Sequence, residues 1–413
     1  MKDISKIVAD VESTLAPYFK EIEETAYINQ EKVLNAFHHV KATESDLQGS
    51  TGYGYDDFGR DHLEEIYAQA CKAEGAIVRP QIISGTHAIT IALQSLLKHG
   101  DELIYITGSP YDTLLEVIGV NGNGIESLME HGVSYKDIAL KEGKIDIESV
   151  LDGVSERTKV IAIQRSKGYD QRPSIPLDEI EQVITRLKEV HPNILIFVDN
   201  CYGEFVERRE PIECGADLIA GSLIKNPGGG LAKIGGYIAG RKDLIERCGY
   251  RLTAPGIGKE AGASLNALLE MYQGFFLAPH VVSQSLKGAL FTSLFLEKMN
   301  MNTTPKYYEK RTDLIQTVKF KTKEQIISFC QSIQHASPIN AHFSPEPSYM
   351  PGYEDDVIMA AGTFIQGSSI ELSADGPIRP PYEAYVQGGL TYEHVKIAVT
   401  RAVNQLKEQG LIE

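Results

Sequence analysis

The stretch that decides the fold runs from residue 194 to residue 230. It reads ILIFVDNCYGEF (194–205) and, after a polar interval, DLIAGSLIKNPGGG (217–230). ILIFV and DLIAG are short, continuous apolar runs that end at polar, turn-forming residues. Strands buried on both faces of a parallel sheet have this appearance. ELIYIT (102–107) and KVIAIQ (159–164) repeat the pattern, and IVRPQII (77–83) is also short and apolar. Between them, Leu63, Ile66, Tyr67 and Ala70 fall at helical spacing, as do Ile89, Ala92, Leu93, Leu96 and Leu97. Further helical stretches follow residue 112 and cover 178–190. This alternation predicts an α/β sheet with helices on both faces.

Working outward, the first forty-odd residues predict two helices. One carries Ile4, Ile7, Val8, Val11 and Leu15 and stops at Pro17, and the other carries Val33, Phe37 and Val40. The glycine-rich GSTGYGYDDFGRD (49–61) then interrupts regular structure. Beyond about residue 285 the rhythm changes. DLIQTVKF (313–320) leads into a helix over 323–334, strand-like VIMAAGTFI (357–365) and SSIELS (368–373) follow, and a helix over 391–408 closes the chain. The expected organisation is a helical arm (1–50), a large α/β domain (51–285) and a smaller C-terminal α+β domain with an antiparallel sheet (286–413).

The chain has 413 residues, with 40 Lys+Arg against 56 Asp+Glu, a net charge of −16. That balance opposes nucleic-acid binding and attraction to anionic membranes, both of which need clustered positive charge. No apolar run reaches transmembrane length, and the charged N-terminus has no secretory core. Five scattered cysteines, without a CxxC pair or zinc spacing, fit a reducing cytoplasm and predict no metal site. A large acidic enzyme in the cytoplasm is expected.

In doubly wound sheets, ligands sit beyond the carboxyl ends of the strands. After QII comes Ser84-Gly85-Thr86-His87, opening a helix. Its free N–H groups, dipole and hydroxyls suit a phosphate, although an ordinary N-cap is an equal reading. Asp199 ends one strand and Lys225 lies just past the next, which places a carboxylate and an amine at one sheet edge. A structural salt bridge is the alternative. There is no GxGxxG and no P-loop, so a nicotinamide dehydrogenase is the weakest candidate. Phosphate seat, carboxylate and lysine together are what pyridoxal phosphate needs: a Schiff-base amine and an acid that keeps the pyridine nitrogen protonated.

SGTHA (84–88), VDNCYGEF (198–205), GSLIKNPGGG (221–230) and SADGPIRPPYEAYVQGG (373–389) resemble fold-type-I pyridoxal-phosphate enzymes of the cystathionine/methionine lyase type. The branch they resemble is the methionine gamma-lyase-like proteins named for aluminium resistance. The resemblance runs from GSTGYGYDDFGRD to the last helix. It implies a mostly parallel seven-stranded sheet domain with a smaller C-terminal domain. It also implies that Lys225 is the Schiff-base lysine, that Asp199 pairs with the pyridine nitrogen, and that Gly85 and Thr86 give backbone N–H groups to the phosphate. Ser222 would add a hydroxyl, and Tyr111 would stack on the ring. Tyr55 and Arg60, with Tyr53 a further candidate, would complete a neighbouring subunit's phosphate site in a homodimer or homotetramer. Arg379 would grip the substrate α-carboxylate. Arg165 and Lys167 follow another strand end, and no role is assigned to them.

The sequence also departs from that pattern. Ile224 stands where the better-known cystathionine lyases usually carry a hydroxyl residue, and KNPGGG differs from their signature around the lysine. Cys201 reads as a small buried filler. The expected reaction is β- or γ-elimination from a sulfur amino acid such as cystathionine or methionine, with Lys225 as general base and Tyr111 helping the leaving group. A γ-replacement synthase or an aminotransferase would use the same residues. A cofactor-binding protein of metal response is the non-enzymatic alternative.

Overall fold

The computed structural model describes residues 4–350 and 355–413. The expected strands form one sheet: β1 (Gly75–Arg79), β2 (Glu102–Tyr105), β3 (Ser134–Asp137), β4 (Thr158–Gln164), β5 (Leu195–Asp199), β6 (Leu218–Ser222) and β7 (Gly236–Gly240). Their order is β1-β7-β6-β5-β4-β2-β3, with β7 antiparallel to both of its neighbours and the other pairs parallel. This is the mixed, mostly parallel seven-stranded sheet of fold-type-I enzymes. β3 is polar and half-exposed at the edge, so it lacks the apolar run that marks the others.

The apolar runs are continuous because alternate side chains enter different cores. Ile196, Val198 and Ile219 face one side, with Leu63 and Tyr67 of α2 (Phe58–Cys71) and Ile180 and Leu187 of α6 (Leu177–Val190). Leu195, Phe197 and Leu218 face the other, with Ile89 and Leu93 of α3 (Gly85–Leu96) and Leu244 of α7 (Lys242–Leu252). Each fully buried side chain of this kind contributes about 1.5–3 kcal/mol. Two short helices, α4 (Asp112–Ile118) and α5 (Ile147–Gly153), link the strands.

The N-terminal expectation is corrected. α1 (Ile4–His39) is one helix that runs through Pro17. Pro17 lies on the exposed side, where water can serve the carbonyl that lost its donor, while Val11, Leu15 and Val33 are buried and α1 packs along α8 (Leu268–Lys298). Tertiary packing thus overrides the proline stop. α8 is apolar on nearly every side and extends across residue 285. Its residues up to Leu286 join the sheet's core and those from Leu290 join a second core. That second core belongs to an antiparallel sheet of order β10-β11-β12-β9-β8. Its strands are β8 (Asn302–Thr304), β9 (Gln316–Phe320), β10 (Val357–Ala360), β11 (Ser373–Pro377) and β12 (Tyr382–Gln387). α9 (Lys323–His335) and α10 (Tyr392–Glu408) cover it.

SSIELS is a second correction. Only its last residue, Ser373, enters a strand, and the next strand is the small, polar SADGP. Ile370 and Leu372 are buried anchors of a non-strand segment, which a pattern of apolar residues cannot distinguish from a strand. No helix among the described residues is long and apolar enough to cross a membrane.

Candidate active site

β4, β5 and β6 end side by side. Gln164 is in register with Asp199, and Asp199 with Ala220, two residues before Ser222. The start of α3 is brought to the same edge. A Cβ added to Gly85 would lie 3.3 Å from Ser222 Cβ and 3.4 Å from Cys201 Sγ. Ser84 caps α3, accepting the His87 N–H at 3.0 Å. The cap reading is therefore correct for Ser84, and Gly85 and Thr86 occupy the first helical positions beyond it, where N–H groups have no partner within the helix.

Asp199 is buried. Its Oδ1 accepts the Cys201 N–H at 3.1 Å. Burial pushes its carboxyl pKa up, and the pull of Lys225 and of that N–H only partly offsets this. Lys225 lies half-buried just past β6, with Nζ 4.2 Å from the centroid of the Tyr202 ring. Burial opposes its charge, but Cys201, Tyr202, Asp199 and Tyr111 outweigh it and hold the ammonium pKa above its ordinary value. The buried Cys201 thiol has its pKa raised by desolvation, as suits a filler rather than a nucleophile. Tyr111 sets its hydroxyl 3.0 Å from Thr86 Oγ1, and its N–H donates to Gln164 Oε1 at 3.0 Å.

The lysine loop sits tightly on α8. A Cβ on Gly229 would lie 2.3 Å from the Gly274 carbonyl oxygen, and Gly229 also has φ +54°. The run KNPGGG is thus a close-approach surface. Behind the edge lies a buried polar cluster. Arg165 donates to Asn200 Oδ1 (2.8 Å), the Gly203 carbonyl (2.9 Å) and Glu207 (2.8 Å). Asn200 Nδ2 donates to Glu210 (2.9 Å), and Tyr237 donates to Glu204 (2.8 Å). Desolvation pushes Glu204 up to about 8, so it holds a proton at neutral pH. Lys167 donates to Thr317 at 2.7 Å. Arg165 and Lys167 thus brace the turn after β5 and the start of the small sheet.

The structure brings together Gly85, Thr86, Tyr111, Asp199, Ser222 and Lys225. The other predicted residues lie elsewhere. Arg379 is on the turn between β11 and β12, 55% exposed, and paired with Asp355 at 3.0 Å. Its charge still reaches Asp112, the residue after Tyr111. Arg60 is buried and donates to the carbonyls of Gly54 (2.6 Å) and Gly262 (3.1 Å). Tyr53 and Tyr55 stack on each other at 5.5 Å and are exposed. Gln164 and Tyr202 were missed as site residues. Gln164 ends a predicted strand, the signal that found Asp199. Tyr202 carries no such signal, because its place depends on the turn that follows Asp199.

The donor set fits pyridoxal phosphate. Ser222 Oγ is buried without a hydrogen-bond partner among the described residues, and only a glycine fits opposite it at position 85 without crowding. A carboxylate and an amine stand at the same edge. No group of His, Cys, Asp or Glu suited to hold a metal ion occurs among the described residues.

The chain is similar over nearly its whole length to known proteins. The methionine gamma-lyase family profile matches residues 4–407. YnbB of Bacillus subtilis is 60% identical over 99% of this chain and 98% of its own. A Listeria innocua crystal structure, named as a proposed cystathionine beta-lyase involved in aluminium resistance, is 59% identical with a TM-score of 0.96. It covers 98% of this chain and 100% of that one. The pyridoxal-5'-phosphate-dependent protein YhfS of Escherichia coli shares the fold at 17% identity and a TM-score of 0.62, over 93% of this chain and 97% of its own. With a family match over nearly its whole length, the chain belongs to the methionine gamma-lyase family.

Proposed function

We propose that this protein is a pyridoxal-phosphate-dependent carbon–sulfur lyase that acts on a sulfur amino acid, of the cystathionine or methionine class, by β- or γ-elimination. The observation that carries this is the convergence of Lys225, Asp199, the Ser222 hydroxyl, which has no partner among the described residues, and the α3 N-terminus at one sheet edge. The cofactor, when bound, supplies an electron sink for the substrate's α-carbon.

The chain's own residues do the rest. Gly85, Thr86 and Ser222 would hold the phosphate, and Asp199 would keep its negative charge facing the ring nitrogen. Lys225, as a free amine, takes the α-proton at Nζ. Tyr111, hydrogen-bonded to Thr86, would protonate the departing sulfur. Arg379 would exchange Asp355 for the substrate carboxylate, which its fork fits better than a single exposed contact. The exposed Tyr53 and Tyr55 pair and the buried Arg60 would serve the site of a second copy in a homo-oligomer.

Purified protein should be yellow, and Lys225→Ala should abolish the visible band. Incubation with cystathionine, methionine and cysteine should release keto acid and thiol. A colourless protein that takes up no added cofactor would sink the reading, and amino-group transfer without thiol would remove the elimination step.

A further inference from the structure

Tyr202 has a backbone that tyrosine seldom adopts. It is the third residue of the turn Asn200–Gly203, closed by the Gly203 N–H donating to the Asn200 carbonyl at 2.9 Å. Its φ is +70°, and Phe205, three residues on, has φ +62°. A turn with a left-handed third residue favours glycine or asparagine there, because a Cβ crowds the backbone. Such conformations persist where the surroundings over-determine them, and they cluster at functional sites. Here the surroundings do so. Arg165 fixes the Asn200 side chain and the Gly203 carbonyl. Glu210 accepts the Phe205 N–H (3.0 Å), and Asn29 donates to the Phe205 carbonyl (3.1 Å). Asn226, next to the lysine, donates to the Glu204 carbonyl at 3.0 Å, which locks the turn to the lysine loop.

This framework places the Tyr202 ring 4.2 Å from Lys225 Nζ. A glycine would satisfy the backbone but bring no ring. We propose, resting on the lyase reading above, that Tyr202 is a positioning residue whose ring seats the Lys225 ammonium formed when the lysine has taken the substrate's α-proton. In that step the C–H bond breaks, its electron pair stays on the carbon, and a new N–H bond makes the amine a cation. An aromatic face attracts a cation and is indifferent to a neutral amine. The ring thus favours the proton-loaded form and holds Nζ in place until the proton is passed on.

The test uses cofactor-free protein, so that it reads the chain alone. Lys225 acylation by acetic anhydride is followed against pH by peptide mass spectrometry. The midpoint reports the lysine's protonation, whatever the change in access. Tyr202→Leu is expected to lower the midpoint by about one pH unit. Tyr202→Phe keeps the ring and should leave it within a few tenths. Tyr202→Gly should lower it as far as leucine does, while raising the melting temperature by relieving the turn, so loss of folding cannot mask the result. If the leucine and glycine variants titrate like wild type, or if phenylalanine falls with them, the ring does not hold the ammonium and the proposal is overturned. A wild-type protein that stays colourless with added pyridoxal phosphate would instead sink the lyase reading, and the titration would still be readable.

Discussion

The two sheets carry opposite kinds of edge. At the large sheet's edge, the polar groups are buried and underused: Ser222 Oγ lacks a partner among the described residues, Asp199 has its pKa raised by desolvation, and Tyr202 holds an unfavourable backbone under Lys225. At the small sheet's edge, Arg379 is exposed and already paired with Asp355. The first edge has its hydrogen-bonding capacity set aside before any ligand arrives, which is electrostatic preorganisation. The second has to exchange one partner for another. If the protein is the lyase proposed above, the contrast would give tight, permanent binding to the large sheet and reversible substrate capture to the small one.

The largest expected effect comes from loosening the point where the two regions meet. Tyr169, in the loop after β4, donates to Asp375 of β11, and Tyr385 donates to the Tyr169 carbonyl at 2.8 Å. Burial pushes Asp375 up to about 7, and the Tyr169 hydrogen bond offsets this only in part. An unfolded aspartate titrates near ~3.9. The folded state therefore holds a proton that the unfolded state has lost between those values. This stabilisation is complete below about pH 4 and is lost as pH rises through about 7, at most about 4 kcal/mol. Melting temperatures should fall from pH 5 to pH 8, and Asp375→Asn should flatten that fall. An unchanged slope in the variant would remove Asp375 as its source.

Asp199→Asn tests the large-sheet edge directly. Removing the charge while keeping the shape should lower kcat about 10²–10³-fold, with cofactor still bound. Arg379→Ala tests the other edge. It should raise KM about ten- to a hundredfold, because a charged hydrogen-bond partner of the substrate is lost, while kcat changes little. Asp355→Asn should lower KM a few-fold by freeing the arginine. A fall in kcat rather than a rise in KM in Arg379→Ala would break the division of labour between the edges.

Most of the large sheet was legible because its strands are buried on both faces and leave continuous apolar runs. The strand-end rule then led to Asp199 and Lys225, and the family resemblance added Ser222. The rest depended on three-dimensional packing. Pro17 reads as a stop, yet packing against α8 carries the helix past it. SSIELS has a strand's composition but anchors a loop, whereas SADGP, with almost no apolar content, is the strand. Tyr202 was hidden because its position depends on a left-handed backbone, which no side-chain pattern announces in a tyrosine. Arg379 was found by resemblance, but its present partner, Asp355, lies 24 residues away in sequence.

The smallest effect separates two serines: Ser84, whose place in the sequence fits either a helix cap or a phosphate seat, and Ser222, which the resemblance gives to the phosphate. Ser84 accepts the His87 N–H and is fully engaged as a cap, so Ser84→Ala should cost about 1 kcal/mol of stability in the cofactor-free chain. Ser222 engages nothing among the described residues. Ser222→Ala should therefore leave the cofactor-free chain as stable as wild type or slightly more so, since a buried hydroxyl without a partner carries a desolvation cost. With cofactor the order reverses: Ser222→Ala should weaken its affinity about five- to tenfold, and Ser84→Ala much less. Melting temperatures with and without pyridoxal phosphate give both numbers for both variants. If Ser222→Ala destabilises the free chain and leaves affinity intact, the hydroxyl is structural, and the large-sheet edge is no more reserved for a ligand than the paired arginine opposite.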